Sequence, residues 1–491
     1  MRLKFLSLVL FFLVNNLVAQ RYTGFLYSDY AGILGAKSQP ASLADSPYKY
    51  DISIVNGNYF ITNNIAYQDR SDEGISLVRY KNDKTKFIQT NVSIGGLAAM
   101  VSLPGKQGLG ISYTARIHGS GNDISPEFIQ QYNQFGRPEY LGQNVFDQKL
   151  DFALSAWHEL AITYATVLKD DGFNKWKFGI TPKLVNSVGA SFAKLNDLDY
   201  EIDPVTAEVE VTDLDVLFGY SANLNNYEQF DGTDPLRLPK GLGFKLALDF
   251  GVTFERAAFR SDPSEKSGTK LDPDITYEHK VSVSITDLGR FTFDMGSAST
   301  HGTSLLPNLG NIDVNEKFGS VSSFREMADS LATIANTEQL TGQFTVTLPT
   351  ALNLNYDYNI GNYYYINANA IVDMTRLIPA DYRLNHLSNF TVTPRWEKGL
   401  SGFYAPIHFN QIGDVHLGLA ARMGPLTLGT QSIGSLISSK PRSGNFFFSI
   451  NISKLKANSK KPYCFGTGGG GSASTSKVRT PLYRRKKWLF F

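Results

Sequence analysis

Apolar and polar residues alternate along most of the chain between residues 48 and 454. The segment NFFFSINIS (445–453) shows the pattern clearly, because one of its two sides is entirely apolar. That side consists of Phe446, Phe448, Ile450 and Ile452. Phe447 falls on the other side, among small polar residues. Successive side chains of a β-strand point to opposite faces, so the segment is predicted to be a strand with one face against a protein core or against lipid.

Many of the predicted strands are long, as in GLGFKLALDFGVTFE and FTVTLPTALNLNYDYNI. Strands of soluble proteins usually have about 5 to 6 residues, whereas a tilted membrane strand needs about 9 to 11. A mean hydropathy of −0.18 is compatible with a barrel, because alternation keeps the average low. Roughly twelve to seventeen segments have this pattern, and bacterial barrels have even strand numbers. The sequence therefore predicts an all-β fold: a transmembrane antiparallel β-barrel of about 14 strands (roughly 12 to 16), with short helical insertions.

In this barrel the apolar side of residues 445–453 is predicted to face lipid, and Phe447 is predicted to face the lumen. The same segment is expected to close the barrel by pairing with the first strand, near residues 48–54. Tyrosines lie near several predicted strand ends, including Tyr48, Tyr356 and residues 363–365. Because tyrosine favours membrane–water interfaces, these side chains are predicted to form an aromatic girdle.

The N-terminal residues have the layout of a secretory signal peptide: Arg2 and Lys4 precede an apolar stretch, and Ala19 precedes the expected cleavage. The remaining sequence contains no apolar run of the roughly 20 residues that a spanning helix needs, which excludes a helical membrane protein. The predicted organisation is a signal peptide (1–19), an N-terminal segment expected to enter the lumen (20–47), the barrel (48–454) and a flexible basic tail (455–491). GTGGGGSASTS within the tail has the composition of a linker.

Composition adds few constraints. The chain has 25 tyrosines, 33 phenylalanines and 43 glycines but one cysteine, Cys464, so its stability does not come from intramolecular disulfides. A net charge of +2 gives no indication of nucleic-acid binding.

Two insertions are predicted to be helical, residues 125–136 and residues 322–336. The acidic stretch 196–203 lacks the spacing of a calcium loop and is interpreted as a solvated face.

Residues with catalytic or metal-binding spacing are not evident in the sequence. The seven histidines are scattered without HExxH spacing, and one cysteine cannot form a thiolate zinc site. The G-x-S-x-G motif is absent. His158 and Glu159 are neighbours, but on a strand they face opposite sides. The sequence therefore predicts a protein that is not an enzyme, with no metal site and no cofactor.

Several segments together resemble an uncharacterised family of outer-membrane barrels that is similar in layout to FadL-type fatty-acid channels and PorV-type barrels. They include YAGILGAKSQPASLADSPYKYDISI, SAWHELAITYATVL and TPRWEKGLSGFYAPIHFN. Members of the family often begin with Asn-Pro-Ala followed by Ala-Asp-Ser. Here residues 39–41 are Gln-Pro-Ala, which departs at the first position, whereas residues 44–46 match. The resemblance implies a barrel in the outer membrane of a Gram-negative bacterium.

The function expected first is a FadL-like channel or binding protein for a hydrophobic or amphipathic small molecule. Its ligand-binding candidates are Pro40, Ala41 and Asp45 in the N-terminal segment, together with lumen-facing residues. The alternative is a non-transporting barrel that anchors or supports an envelope secretion or motility complex, with another envelope protein as its partner. A soluble secreted β-protein is a third interpretation. An apolar pocket beside the N-terminal segment would favour the channel, whereas a lumen filled with charged side chains would favour the anchor.

Overall fold

A computed structural model provides the structure of the chain. It describes residues 24–71, 74–79, 84–131, 135–225, 243–257, 277–305, 317, 321, 323–411, 415–438 and 440–456. The predicted signal peptide and nearly all of the predicted C-terminal tail lie outside the described residues. No helix in the described part of the chain is long and apolar enough to cross a membrane.

Strands dominate the structure, and the helices between them are short. The strands are β1 Tyr48–Asn63, β2 Ala66–Ser71, β3 Gly74–Arg79, β4 Lys86–Leu103, β5 Gln107–Ile124, β6 Asn144–Val145, β7 Leu150–Asp170, β8 Asn174–Ile202, β9 Val209–Tyr220, β10 Phe244–Ala257, β11 Tyr277–Leu288, β12 Arg290–Asp294, β13 Thr300–Leu305, β14 Ala335–Gln339, β15 Gln343–Thr347, β16 Ala351–Gly361, β17 Tyr364–Asp373, β18 Asn389–Lys398, β19 Ser401–Tyr404, β20 Ile407–Asn410, β21 Val415–Leu417, β22 Leu419–Met423, β23 Leu426–Thr430 and β24 Ser443–Leu455. The α-helices are Pro126–Gln131, Phe324–Ala332 and Ile433–Ile437. The 3-10 helices are Asp29–Lys37, Pro40–Leu43, Ala222–Leu224 and Thr375–Leu377.

The wall is a closed antiparallel barrel of 14 strands, as predicted. Its positions are occupied in order by β1, β4, β5, β7, β8, β10, β11, β16, β17, β18, β19 with β20, β21 with β22, β23 and β24. Pairing of β24 with β1, from Tyr48↔Leu455 to Thr62↔Ser443, closes the barrel. Closure leaves no free sheet edge around most of the circumference, which a lipid environment requires because it cannot satisfy backbone groups.

Alternation along the strands gives the wall an apolar outer face and a mostly polar inner face. Every strand position presents an exposed apolar side chain outward. Examples in wall order are Ile54, Ile94, Ile111, Ile162, Leu184, Val252, Val283, Leu354, Ile366, Phe390, Phe403, Leu419, Leu428 and Ile450. The inward neighbours are buried and polar, for example Ser53, Ser93, Thr114, Thr163, Thr181, Thr253, Ser282, Asn355, Asn367 and Thr391. An apolar band around a closed barrel is the surface expected of a transmembrane barrel.

The two ends of the barrel differ. At one end, here called the short-turn end, tight connections join β4 to β5, β7 to β8, β16 to β17, β18 to β19 and β22 to β23. One longer connection at this end, residues 258–276 between β10 and β11, lies outside the described residues. The described insertions are at the opposite end, here called the long-loop end. There β8 extends beyond the wall and pairs with β9, which in turn pairs with β13, and β13 pairs with β14. The predicted helical insertions are both at this end, where the described helices are Pro126–Gln131 and Phe324–Ala332.

The tyrosines predicted to form an aromatic girdle do not all lie on the outer face. Tyr356 and Tyr364 are exposed on the outer face. Tyr48 and Tyr365 are instead almost completely buried and pack with Tyr30 and Tyr277 inside the barrel. A register shift between β1 and β24 occurs just after Tyr48, so simple alternation from the following residues assigns this side chain to the wrong face.

Candidate functional site

The lumen contains a charged network at mid-height. The guanidinium of Arg116 on β5 donates to both carboxylate oxygens of Asp287 on β11, at 2.9 and 3.0 Å, and to Glu159 on β7 at 3.1 Å. Lys183 on β8 bonds the same Asp287 at 2.6 Å and lies 2.7 Å from Asp249 on β10. All five side chains are almost fully buried. Buried charges are tolerated only when they are paired, and here each of the three carboxylates lies within ion-pair distance of one of the two cations.

A second network lies nearer the short-turn end. Arg395 on β18 donates to both oxygens of Asp357 on β16 at 2.6 Å, and to Glu397 at 2.8 Å. Tyr277 donates to Asp357 at 2.5 Å, and Lys280 lies 3.5 Å from it. The network therefore joins β11, β16 and β18 through one carboxylate.

Residues 24–47, here called the N-terminal segment, pack against inward-facing side chains at the short-turn end. Its apolar residues, among them Phe25, Leu34 and Leu43, share a buried cluster with Met100 and Phe447 from the wall. The 3-10 helix Asp29–Lys37 contacts β1, β4 and β5, and the 3-10 helix Pro40–Leu43 contacts β5, β7, β8 and β10. The segment thus touches wall strands around a large part of the circumference.

Polar contacts hold the N-terminal segment at several points. Asp29 accepts from Lys280 at 2.9 Å and lies 2.7 Å from the Tyr277 hydroxyl, whose single proton is shared between Asp29 and Asp357. Both contacts tie the segment to the second charged network. Asp45 accepts from Lys175 at 2.6 Å. Burial raises the pKa of the Asp45 carboxyl, but the nearby ammonium groups, Lys175 foremost, outweigh burial and hold that pKa below its usual value.

Glycines of the wall provide the space in which residues 39–43 lie. A Cβ added at Gly179 on β8 would collide with the backbone of Pro40 and Ala41, and one added at Gly108 on β5 would collide with the Leu43 carbonyl. At Gly251 on β10 the added atom would meet the Gln39 side chain. Any residue larger than glycine at these positions would therefore overlap the segment as it is docked here.

The Gln39 side chain adds a directional contact. Its amide nitrogen donates to the backbone carbonyls of Val252 on β10 and Val283 on β11, both at 3.2 Å, and its carbonyl oxygen accepts from the Ala41 backbone at 3.3 Å. Asparagine, the residue common at this position in the resembled family, has a shorter side chain by one methylene. The departure from Asn-Pro-Ala thus lies at a residue that reaches the wall.

The three predicted ligand-binding residues lie in the N-terminal segment but do not line the cleft beside it. Pro40 and Ala41 are buried against the Gly179 backbone, and Asp45 is paired with Lys175. None of the three lines the narrow cleft beside the segment, which is bounded by Leu26 and Ile33 on one side and by the Arg116 network on the other. Their assignment as ligand-binding residues stays a prediction.

The four predicted lipid-facing residues lie on one side of β24. Ile450 is 37% exposed and Ile452 is 52% exposed, and Phe446 and Phe448 are half-buried with their rings 6.2 Å apart. Phe447 between them is fully buried, on the opposite face.

Aromatic residues cover the lumen toward the long-loop end. β12 and β15 pair with each other and place Phe291, Phe293 and Phe344 in a buried cluster with Trp157 and Phe192 of the wall. The Phe192 and Phe344 rings are 5.2 Å apart, and the Trp157 and Phe291 rings are 5.8 Å apart. The described lumen is therefore occupied by the N-terminal segment at one end and by this cluster toward the other.

Sequence reasoning found the segment that contacts the wall but missed most of the residues that fix it. Asp29, Gln39 and the wall glycines were not identified, and neither were the two charged networks. A signal existed for the networks, since Arg116, Lys183 and Arg395 occupy inward positions of alternating strands. Among the described residues there is no group of three or more histidine, cysteine, aspartate or glutamate side chains placed to hold a metal ion.

Comparison with known proteins identifies the family. Residues 40–431 match the model of a family described as "Family of unknown function (DUF5723)". The chain belongs to this family. No curated protein matches the sequence.

Some solved barrels are similar at a low level. The toluene transporter TodX of P. putida is 9% identical, with a TM-score of 0.36, over 87% of this chain and 95% of TodX. A TodX deltaS2S3 mutant, a monoaromatic hydrocarbon channel, is 8% identical, with a TM-score of 0.37, over 87% of this chain and 95% of the mutant chain. A FadL homologue of Pseudomonas aeruginosa is 10% identical, with a TM-score of 0.22, over 89% of this chain and 98% of the homologue. TM-scores below 0.5 do not establish a common fold, so the barrel assignment rests on the strand pairing of this chain.

Proposed function

We propose that this member of the DUF5723 family is an outer-membrane barrel that acts as a normally closed channel for small hydrophobic or amphipathic molecules. In this proposal the N-terminal segment is the closure, and it moves to admit solute. In outer-membrane barrels the short turns face the periplasm, which would place the closure at the periplasmic end. The location in the outer membrane of a Gram-negative bacterium is part of the same proposal.

The observation that carries the proposal is the fitted but non-covalent docking of the N-terminal segment. Wall glycines on β5 and β8 leave space for backbone atoms of Pro40, Ala41 and Leu43, and a glycine on β10 leaves space for the Gln39 side chain. The segment is held by apolar packing, hydrogen bonds and ion pairs, and none of these contacts is covalent. A segment that is shaped to its seat and reversibly bound suits a closure better than it suits a permanent filler.

The narrow cleft beside the segment supports the choice of solute. Leu26 and Ile33 of the N-terminal segment give it apolar contacts. Charged groups come from Lys37 of the segment and from Arg116, Glu159 and Lys183 of the wall. A surface of this mixed character suits a molecule that has both apolar and polar parts. It is not the purely apolar pocket that a hydrocarbon channel would be expected to have.

The second candidate is the non-transporting anchor or scaffold for an envelope complex. Paired charges occupy the lumen at two levels, and the long-loop end is covered by aromatic residues. A filled lumen is the feature expected of a barrel whose only task is to hold a partner protein at the membrane. Another envelope protein would then be its ligand.

Efflux from proteoliposomes distinguishes the two functions. A form that lacks residues 24–46 is reconstituted beside the wild type, and heat-dependent migration on a denaturing gel verifies that each barrel is folded. The channel predicts rapid efflux of an entrapped small amphipathic dye from the truncated form and slow efflux from the wild type. Folded, truncated barrels that retain the dye as well as the wild type does would refute the channel and support the anchor.

A further inference from the structure

The connection between β17 and β18, residues 374–388, folds into the barrel at the long-loop end. Leu384 in this connection is fully buried, in the aromatic cluster that contains Trp157 and Phe192. The Tyr382 ring stacks on the Phe192 ring, with 3.7 Å between their centroids. The connection is here called the strap, because its contacts join one side of the lumen to the other.

The first half of the strap adds to the hairpin of β12 and β15. The Tyr382 amide donates to the Thr345 carbonyl at 3.0 Å, and the Tyr382 carbonyl accepts from the Thr347 amide at 3.1 Å. The Leu384 amide donates to the Thr347 hydroxyl at 3.1 Å. The strap and the hairpin therefore form one hydrogen-bonded layer in the long-loop part of the lumen.

The second half of the strap is held by three buried side chains of β4 and β5, here called the latch. Gln89 on β4 donates to the Asn385 carbonyl at 3.2 Å and accepts from the Leu387 amide at 3.1 Å. On β5, His118 lies 2.9 Å from the same Asn385 carbonyl, and Ser120 accepts from the Asn385 amide at 3.1 Å. β4 is seven strands away from β17 in the 14-strand wall, so the latch holds the strap from the opposite side.

Asn91 on β4 fixes the direction of the His118 hydrogen bond. Its Nδ2, which can only donate, lies 3.0 Å from His118 Nδ1. His118 Nδ1 therefore accepts, and in the neutral ring the proton is on Nε2, which donates to the Asn385 carbonyl. Asn91 also lines the cleft beside the N-terminal segment. The residue that orients part of the latch is thus within reach of a solute in that cleft.

We propose that the strap is a second closure of the lumen, at the long-loop end, and that it opens when the latch releases it. The latch binds main-chain atoms of the strap, so its release separates the strap from β4 and β5 without unpairing any wall strand. Single hydrogen bonds make a small net contribution to stability, which makes the latch a weaker attachment than continuous strand pairing. The role of the strap in transport rests on the channel function proposed above, whereas its opening is measurable without transport.

Amide hydrogen exchange of the full-length protein in nanodiscs tests the opening. The Leu384 and Asn385 amides are both hydrogen-bonded in the closed strap, so their exchange reports its release. We expect them to exchange faster than the paired amides of β4 and β5. We also expect Gln89→Leu to speed their exchange about tenfold, although Gln89 accepts from neither of them. Strap amides that exchange as slowly as the wall would show a permanent filler and overturn the proposal.

The matched control is Gln339→Leu, because Gln339 donates to a main-chain carbonyl outside the strap, that of Ser297, at 2.9 Å. This variant should leave the exchange of the strap unchanged, and an effect equal to that of Gln89→Leu would overturn the latch. If Gln89→Leu does not fold by its gel migration, Ser120→Ala carries the same test, read at the Leu384 amide.

A disulfide tests whether the strap limits passage. Ser120→Cys and Asn385→Cys are combined with Cys464→Ser in the form that lacks residues 24–46. The Ser120 hydroxyl oxygen and the Asn385 amide nitrogen are 3.1 Å apart, which places the two residues within reach of a disulfide. We expect dye efflux to be at least about tenfold slower in the oxidised than in the reduced protein. Equal efflux in the two states, with the disulfide verified by mass, would overturn the second closure, whereas slow efflux from the reduced form would refute the channel and leave the exchange test to decide on the strap.

Discussion

Substitution of Gly179 by alanine tests the docking of the N-terminal segment at a single atom. The added Cβ would collide with backbone atoms of Pro40 and Ala41, which cannot move away by a side-chain rotation. Either the segment shifts as a whole or it leaves its seat. Adding one methyl group to a well-packed site typically costs about 1 to 3 kcal/mol. If the substitution destabilises the docked state by this amount, the form with the segment out of its seat becomes about 5 to 150 times more populated.

Thiol labelling measures this population. Ser38 is 1% exposed and lies within the docked segment, so Ser38→Cys in a Cys464→Ser background introduces a near-isosteric thiol that is shielded while the segment is docked. We expect Gly179→Ala to raise the rate of labelling by a polar maleimide about 5- to 150-fold, in proportion to the displaced population. Single-channel recordings in planar bilayers should show longer or more frequent openings in the same variant.

The matched control is Gly96→Ala on β4, where the nearest atom to an added Cβ is in the ring of Tyr113, 3.8 Å away. That variant should label at the wild-type rate. Both variants must show the heat-dependent gel migration of a folded barrel. Wild-type labelling and conductance in a folded Gly179→Ala protein would show that the wall glycines do not fix the segment.

Three further predictions concern charge and lipid contact. Because the pKa of Asp45 is held below its usual value, its contribution to docking exists above the unfolded-state pKa of about 3.9 and disappears as pH falls through the lower docked-state value. At neutral pH, Asp45→Asn should therefore raise the labelling rate of the Ser38→Cys thiol and the conductance above those of the parent protein. In acid the difference in conductance should vanish, and a difference that persists there would contradict the role of the ion pair with Lys175. Asp357→Asn leaves the buried Arg395 guanidinium with one carboxylate fewer and should lower the free energy of unfolding by about 3 to 5 kcal/mol. Denaturant unfolding in detergent measures this change, and an unchanged midpoint would show that the ion pair is dispensable. Ile450→Arg should lower the free energy of unfolding in lipid bilayers by up to about 2 to 4 kcal/mol. Ile450→Ala removes the same packing without adding a charge and is the control. Equal effects of the two substitutions would place the residue outside the hydrocarbon region.

The sequence was sufficient for the barrel itself because the barrel depends on a local property. Alternation over long segments indicates two-faced strands whatever their neighbours are, and an even number near 14 follows from the count of such segments. The pairing of β24 with β1 was also predictable, since a closed barrel must join its first and last strands. Local irregularity limited the rest, as with Tyr48, where one shifted residue reverses the face.

The candidate site could not be predicted in the same way because its contacts join distant parts of the chain. Arg116 and Asp287 are 171 residues apart, and Gln39 and Val283 are 244 residues apart. Alternation shows which residues face inward, but a single sequence does not show which of them contact one another across the lumen. The seat formed by Gly108, Gly179 and Gly251 is similarly distributed over three strands, and each glycine alone is unremarkable in sequence.

Phe447 shows which sequence signal would have indicated an occupied lumen. Its neighbours Phe446 and Phe448 are on the outer face, and its own ring is fully buried in the cluster that includes Phe25 and Leu43 of the N-terminal segment. Inward positions of other strands are also apolar at this level, namely Ala98, Met100, Ala165, Val167 and Ala420. A water-filled lumen would favour polar residues at all of these positions. Apolar residues at inward positions of several strands, at a common distance from the short turns, therefore predict that a piece of protein occupies that level of the barrel.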